Sequence, residues 1–317
     1  MGDGRVSGLG QVSLDDKYLR DDGRVFLTGV QALVRLALVQ RRRDVAAGLD
    51  TAGYVTGYRG SPLGAYDTQL RAAAAHLEAH RVLHRPAVNE DLAATACQGT
   101  QQVGLRGEAT CDGVFAIWYG KGPGVDRSGD AVRHGNLFGA ARHGGVLMLL
   151  GDDHAGESST TAHQSDYAMV DAMVPVLSPS GVAELLEFGL LGIAMSRFSG
   201  AWVSMKCVHD TVECTASIEV SADRPEIVLP AEDEIGPGRR DNDLDTTRLL
   251  SVVAGELEKP LHTVKMEAAR AFARANGIDR LVTGAEGDGA RLGLVASGTA
   301  DLALRTAAAA RGQVGRA

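Results

Sequence analysis

The chain is poor in aromatic residues, cysteine and proline, and its basic residues are scattered. Only 4% of its 317 residues are Phe, Trp or Tyr, against 40 glycines and long alanine-rich runs. Strands favour aromatic and β-branched side chains, so an all-β fold is not expected. Cys97, Cys111, Cys207 and Cys214 are widely spaced apart from one pair with six residues between, and Cys-x-x-Cys occurs nowhere. No disulfide framework, zinc site or iron–sulfur ligand set is therefore written here, and reduced structural thiols are expected. The formal charge of −8 argues against nucleic-acid binding, which needs a clustered basic face. The one basic run, Arg41-Arg42-Arg43, closes an amphipathic helix; it is expected to complement the helix dipole rather than bind a ligand. No window approaches the ~18 apolar residues of a membrane span. Residues Met1 to Arg24 also lack the apolar centre of a signal peptide, so a cytoplasmic protein with no membrane partner is expected.

Apolar residues make up 44% of the chain and recur in short runs: Tyr54-Val55-Thr56, Val114 to Tyr119, Val146 to Leu150, Val174 to Leu177 and Trp202 to Cys207. Runs of this kind read as strands buried on both faces. Helical periodicity fills Val30 to Val39, Ala65 to Ala79, Asp91 to Val103, Asp130 to Ala141 and Val182 to Met195. This βαβ alternation predicts an α/β doubly wound parallel sheet with helices on both faces. Its ligands belong beyond the carboxyl ends of the strands, where the corners at Gly57, Gly120 and Gly151 fall. The expected organisation is a tail over 1–24, an α/β domain over 25–225, a linker and helical excursion over 226–285, and a first βα unit of a further sheet over 286–317. The excursion is the amphipathic stretch Thr246 to Asn276. The last unit reads as the strand Arg291 to Gly298 and the helix Thr299 to Ala310.

Three corners carry chemistry-bearing residues. In Gly57-Tyr58-Arg59-Gly60-Ser61-Pro62-Leu63-Gly64 the glycines permit unusual backbone geometry, and Pro62 restricts Ser61, fixing the direction of its hydroxyl. By itself this is also a tight strand-to-helix turn with Pro62 at the first helical position. In Asn89-Glu90-Asp91-Leu92-Ala93-Ala94 a helix begins with a cap and two acids. The acids either offset the dipole at the surface, or one of them faces an apolar cleft. In Gly120-Lys121-Gly122-Pro123-Gly124-Val125-Asp126 the backbone can approach a planar ring closely, and the P-loop spacing is absent. A fourth, polar segment holds Gly151-Asp152-Asp153-His154 and His163-Gln164-Ser165-Asp166. Its eight-residue histidine separation does not suit a metal, and no metal site is expected.

In order and spacing the three corners resemble the pyrimidine-binding domain of the thiamine-diphosphate-dependent 2-oxoacid:ferredoxin oxidoreductases, most closely the indolepyruvate branch, which Val125-Asp126-Arg127-Ser128-Gly129-Asp130-Ala131 is like in particular. The resemblance spans about residues 12 to 310. It implies Glu90 as the glutamate that bonds to the aminopyrimidine ring and favours the imino tautomer, whose nitrogen removes the thiazolium C2 proton. A dry site makes such a carboxyl an effective acid. It further implies cofactor contacts from Tyr58, Gly60, Ser61, Pro62, Gly122, Pro123 and Gly124, and weaker substrate candidates in Arg59, His163 and Gln164. The reaction implied for the complete enzyme is oxidative decarboxylation of a 2-oxoacid to an acyl-CoA, with iron–sulfur centres passing electrons to ferredoxin. A homodimer is the implied assembly.

Two departures qualify what the chain does alone. Cys97-Gln98-Gly99 stands where the branch has an aromatic residue before the glycine. Of the Gly-Asp-Gly…Asn motif that holds magnesium and the diphosphate, only Gly287-Asp288-Gly289 and Gly2-Asp3-Gly4 are seen; no Asn follows Asn276, and none lies at the required distance from Gly2. Thiamine diphosphate with magnesium is thus expected to be shared with a diphosphate-binding domain outside these residues, and iron–sulfur clusters and CoA to be bound elsewhere. The alternative is a non-catalytic α/β remnant or binding module whose corners are only turns. A thiamine decarboxylase without electron transfer fits Glu90 but not the Gly-Tyr-Arg-Gly-Ser-Pro corner.

Overall fold

The apolar runs pair in parallel, as two-sided burial requires. The computed structural model describes residues 12–105, 107–158, 161–231, 256–282 and 293–311. Its strands in chain order are β1 Asp22–Thr28, β2 Thr51–Gly57, β3 Val82–His84, β4 Gly113–Lys121, β5 Val146–Gly151, β6 Val176–Leu177, β7 Val203–Cys207 and β8 Thr215–Ser221. Six of them form one sheet in the order β3-β2-β4-β5-β7-β6, every neighbouring pair parallel.

Alternation along the strands sorts side chains between two cores. Along β4, Phe115, Ile117 and Tyr119 join Leu33, Leu36 and Leu190, whereas Ala116 and Trp118 join Ala93, Cys97, Val132 and Trp202. Helices Gly29–Ala46 and Val182–Ser199 cover the first face; Glu90–Thr100 and Gly129–Phe138 cover the second. Each fully buried leucine contributes about 2 kcal/mol, so losing either helical layer would leave the sheet unstable. Helix Gly29–Ala46 starts where the Thr28 hydroxyl accepts from the Gln31 amide and the Gln31 side chain accepts from the Thr28 amide, a reciprocal cap. Near its other end the Asp44 carboxylate receives two bonds from Arg197 on the facing helix, at 2.6 and 2.8 Å. All four cysteines are free thiols; burial pushes the Cys97 and Cys207 thiols well above their ordinary range.

Several local expectations are corrected. β1 and β8 form a separate antiparallel ribbon, running from Asp22 opposite Ser221 to Thr28 opposite Thr215, with Val25, Leu27, Ile218 and Val220 buried. The helix expected over Ala65 to Ala79 breaks at Ala73 into Gly64–Ala72 and Ala74–Ala79. Arg41, Arg42 and Arg43 close helix Gly29–Ala46, with Arg43 in its last turn as expected, and are tertiary anchors besides. They reach Asp50 and the Leu49 carbonyl, Asp21 and the Tyr18 carbonyl, and the Pro225 carbonyl, respectively. Residues 293–297 form no strand; a lone strand would leave its backbone groups without ladder partners. Helix Thr299–Ala310 is present, but the expected start of a second sheet is not formed among the described residues. Of the helical excursion, residues 256–275 are helical, with a π turn at Leu261–Lys265, and Phe272 packs on Phe198; residues 246–255 lie outside the described residues. Lys265 Nζ donates to the Asn136 and Leu137 carbonyls near the end of Gly129–Phe138, and burial pulls its pKa down to about 8. Among the described residues no helix is long and apolar enough to cross a membrane.

Candidate active site

Parallel pairing carries β2, β4 and β5 to one edge, so the corners that follow them meet there. Tyr58 donates its amide to the Tyr119 carbonyl at 3.1 Å, continuing the β2–β4 ladder into the first corner. Gly60 lies over Lys121: a Cβ on it would stand 3.0 Å from Lys121 Cδ. Pro62 is buried against the end of β5, with Cδ 3.3 Å from where a Cβ on Gly151 would be. Tyr58 and Arg59 are exposed along the rim, while Ser61 is half-buried and bonded to His209.

The second corner delivers one acid inward. Asn89 caps the helix by accepting from the Leu92 amide at 2.8 Å, which makes Glu90 the first helical residue. The Glu90 carbonyl accepts from the Trp118 indole at 3.0 Å, fastening the start of the helix to β4. Glu90 is 7% exposed, and its side chain lies along the glycines of the third corner: a Cβ on Gly124 would come within 2.5 Å of its Cγ and Oε1, and one on Gly120 within 3.1 Å of its Cγ. Only glycine at Gly124 leaves room for that carboxyl. Asp91 is half-buried and its carbonyl accepts from the Thr95 hydroxyl one turn on. Of the two acids, Glu90 alone is buried.

The polar fourth segment closes the other side of the same glycine turn. Asp152 accepts from the Ser165 amide at 3.0 Å and its hydroxyl at 2.6 Å; Asp153 accepts from the Glu157 and Ser158 amides at 3.0 and 2.9 Å. Thus both acids organise the loop. The fold folds His163 back onto Gly122, where a Cβ would strike the imidazole, and its Nε2 lies 2.9 Å from Asp126. His163 Nδ1 is buried without a hydrogen-bond partner, 3.9 Å from Asp152 Oδ1. Gln164 is exposed. No group of three or more metal-ligating side chains assembles among the described residues.

Two sets of residues escaped the sequence reading. Behind the corners, the Tyr119 hydroxyl donates to Asp67 at 3.0 Å and lies 3.2 Å from His84 Nε2, while Arg71 pairs with Asp67 at 2.7 Å. Burial, and then the Asp67 charge, raise the Tyr119 phenol far above its ordinary range; burial lowers His84. The second set is His209 with Glu213, beside Ser61. Each set holds one i,i+4 pair, Asp67 with Arg71 and His209 with Glu213, but the residues that give it meaning, Tyr119 and His84 in one and Ser61 in the other, meet it only once the sheet is built.

The parallel sheet, with helices on both faces and the corners gathered at one edge, is a doubly wound α/β fold. Among solved structures it is similar to 2-oxoglutarate:ferredoxin oxidoreductase from Magnetococcus marinus, a structure with 2-oxoglutarate, coenzyme A and succinyl-CoA bound. That likeness has a TM-score of 0.60 at 14% identity and covers 92% of this chain and 52% of that one. At this identity the likeness is one of fold, and the chain spans about half the length of that protein. No family model and no curated protein matches the chain.

Proposed function

We propose that the chain is the pyrimidine-binding portion of a thiamine-diphosphate-dependent 2-oxoacid:ferredoxin oxidoreductase acting on an indolepyruvate-like substrate, with Glu90 as its activating acid. The observation that carries this reading is the Glu90 side chain, buried at a helix start against the Cβ-less faces of Gly120 and Gly124. The glycines make room for the carboxyl itself, and such a carboxyl is the one group needed to hold a proton at a ring nitrogen. Tyr58, Gly60, Ser61 and Pro62 would hold the ring from the first corner, and Gly122, Pro123 and Gly124 from the third. Arg59, His163 and Gln164 are weaker, substrate-side candidates, Arg59 and Gln164 both being exposed. When bound, thiamine diphosphate supplies a carbon nucleophile for attack on the 2-oxoacid; this chain's part is to orient the ring, exclude water and hold the Glu90 proton.

The described corners offer groups suited to the pyrimidine end of the cofactor; the Gly-Asp-Gly…Asn pattern that serves its diphosphate end is not complete within these 317 residues. Diphosphate, magnesium, iron–sulfur clusters, CoA and ferredoxin would then be served by further domains, in a homodimeric or larger cytoplasmic assembly. Methyl-viologen reduction with indolepyruvate, thiamine diphosphate, magnesium and CoA tests this. It compares the chain alone, the chain with a partner polypeptide carrying the diphosphate-binding and iron–sulfur domains, and that mixture with Glu90→Gln. Activity confined to the wild-type mixture is expected; an inactive assembled mixture overturns the catalytic reading.

A further inference from the structure

Ser61 and His209 are separated by 148 residues in the chain, yet Ser61 Oγ lies 3.2 Å from His209 Nε2 at the first corner. The other ring nitrogen, Nδ1, lies 3.2 Å from Glu213 Oε1, one helical turn further on. Nε2 is therefore engaged by a hydroxyl, while Nδ1 faces a carboxylate at ion-pair distance. The Glu213 carboxylate stands outside hydrogen-bond geometry, and its negative oxygen favours a proton on Nδ1 over a lone pair facing it. With the imidazole neutral, Nε2 is then an acceptor, and the one proton able to satisfy it is that of the Ser61 hydroxyl. Ser61 Oγ keeps its lone pairs for the site and has no proton to offer there.

We propose that His209, oriented by Glu213, is a positioning residue that fixes the Ser61 hydroxyl as a hydrogen-bond acceptor, so that this point of the corner selects a ligand group that donates, such as a ring amino group, over a bare carboxylate. This rests on the assignment of the first corner to ligand binding made above. The side chains of His209 and Glu213 are 25% and 57% exposed. A pair so open to water adds little to stability, so its main consequence is the direction it imposes on Ser61. A site committed to accepting from its ligand discriminates strongly against a group that cannot donate, because the mismatch leaves polar groups facing one another unpaired.

Two measurements test the proposal. Long-range proton–nitrogen spectra of the full chain, recorded where the imidazole is neutral, should show His209 as the Nδ1–H tautomer, lost in Glu213→Ala; an Nε2–H tautomer in the wild type overturns the relay. Binding of thiamine diphosphate with magnesium is then measured in the assembly that carries the diphosphate-binding partner. Ser61→Ala and His209→Leu should weaken it about 10-fold, while His209→Gln, whose side-chain oxygen can accept from Ser61, stays within about threefold. Equal losses in His209→Gln and His209→Leu, or no loss in either, overturn the positioning role. Wild-type protein with the Nδ1–H tautomer but no thiamine diphosphate binding overturns the ligand assignment of the corner and leaves the His209–Ser61 relay supported.

Discussion

The Glu90 carboxyl rests on the backbone of Gly124 so closely that a single methyl group there would come within 2.5 Å of Glu90 Oε1. Gly124→Ala should therefore displace the acid or push back the helix that bears it, costing about 1–3 kcal/mol of stability. On the proposed role of Glu90, activity with the partner polypeptide should fall roughly 100-fold, as expected when a reacting group moves by about 1 Å. Gly129, whose added Cβ would meet nothing within 4 Å, is the control: Gly129→Ala should be neutral or slightly stabilising. Urea titrations of both variants beside the wild type read the stability difference.

Glu90 and Asp91 are adjacent carboxyls with different surroundings, and the activity assay should separate them. On the proposed reading Glu90→Gln keeps the shape and removes the exchangeable acid, so turnover should drop at least ~100-fold. Asp91→Asn should stay within about threefold, since Asp91 is the less buried acid. Equal effects of the two changes would mean that burial does not identify the acting acid.

Asp44 and Arg197 join the two helices of one face through a paired, largely buried contact. Arg197→Met leaves Asp44 without its counter-charge and should cost about 3–5 kcal/mol. Equilibrium unfolding in urea gives this directly.

Lys265 gives a pH signature. Its folded pKa of about 8 lies below the roughly 10.4 of an unfolded lysine. Between those values the unfolded chain holds more protons, so this group's contribution is fully present above about pH 10.4 and is lost as pH falls to about 8. Its upper limit is about 3 kcal/mol. Cys97, Cys207, Tyr66 and Tyr119, all raised by burial, act in the opposite direction at alkaline pH. The readout is therefore the difference between wild type and Lys265→Met in unfolding free energy across this window, which should widen in favour of the wild type as pH rises. A flat difference would show that the lysine is not desolvated in solution.

Much of this architecture could be read from the chain because two-sided burial writes continuous apolar runs, as at Val146 to Leu150, and glycine marks the corners between them. The orientation of Glu90 could not. A capped helix start with two acids has the same sequence whether it faces water or a cleft, and only the position of Trp118 on β4 decides which. His209 was invisible for a related reason: a lone histidine acquires meaning from Ser61, which the crossover connections bring beside it. The ribbon of β1 and β8 was missed because its period-two burial, Val25 and Leu27 against Ile218 and Val220, is short and is blurred by the exposed Phe26 and by Gly23 at an inward position.

That ribbon has a consequence for how the unit can be used. By pairing residues 22–28 with 215–221 it brings the strands where the chain enters and leaves the six-stranded sheet side by side, like the two leads of a plug. A unit wired this way can be spliced into a larger polypeptide, or moved between different neighbours, with little change in the distance its flanking segments must span.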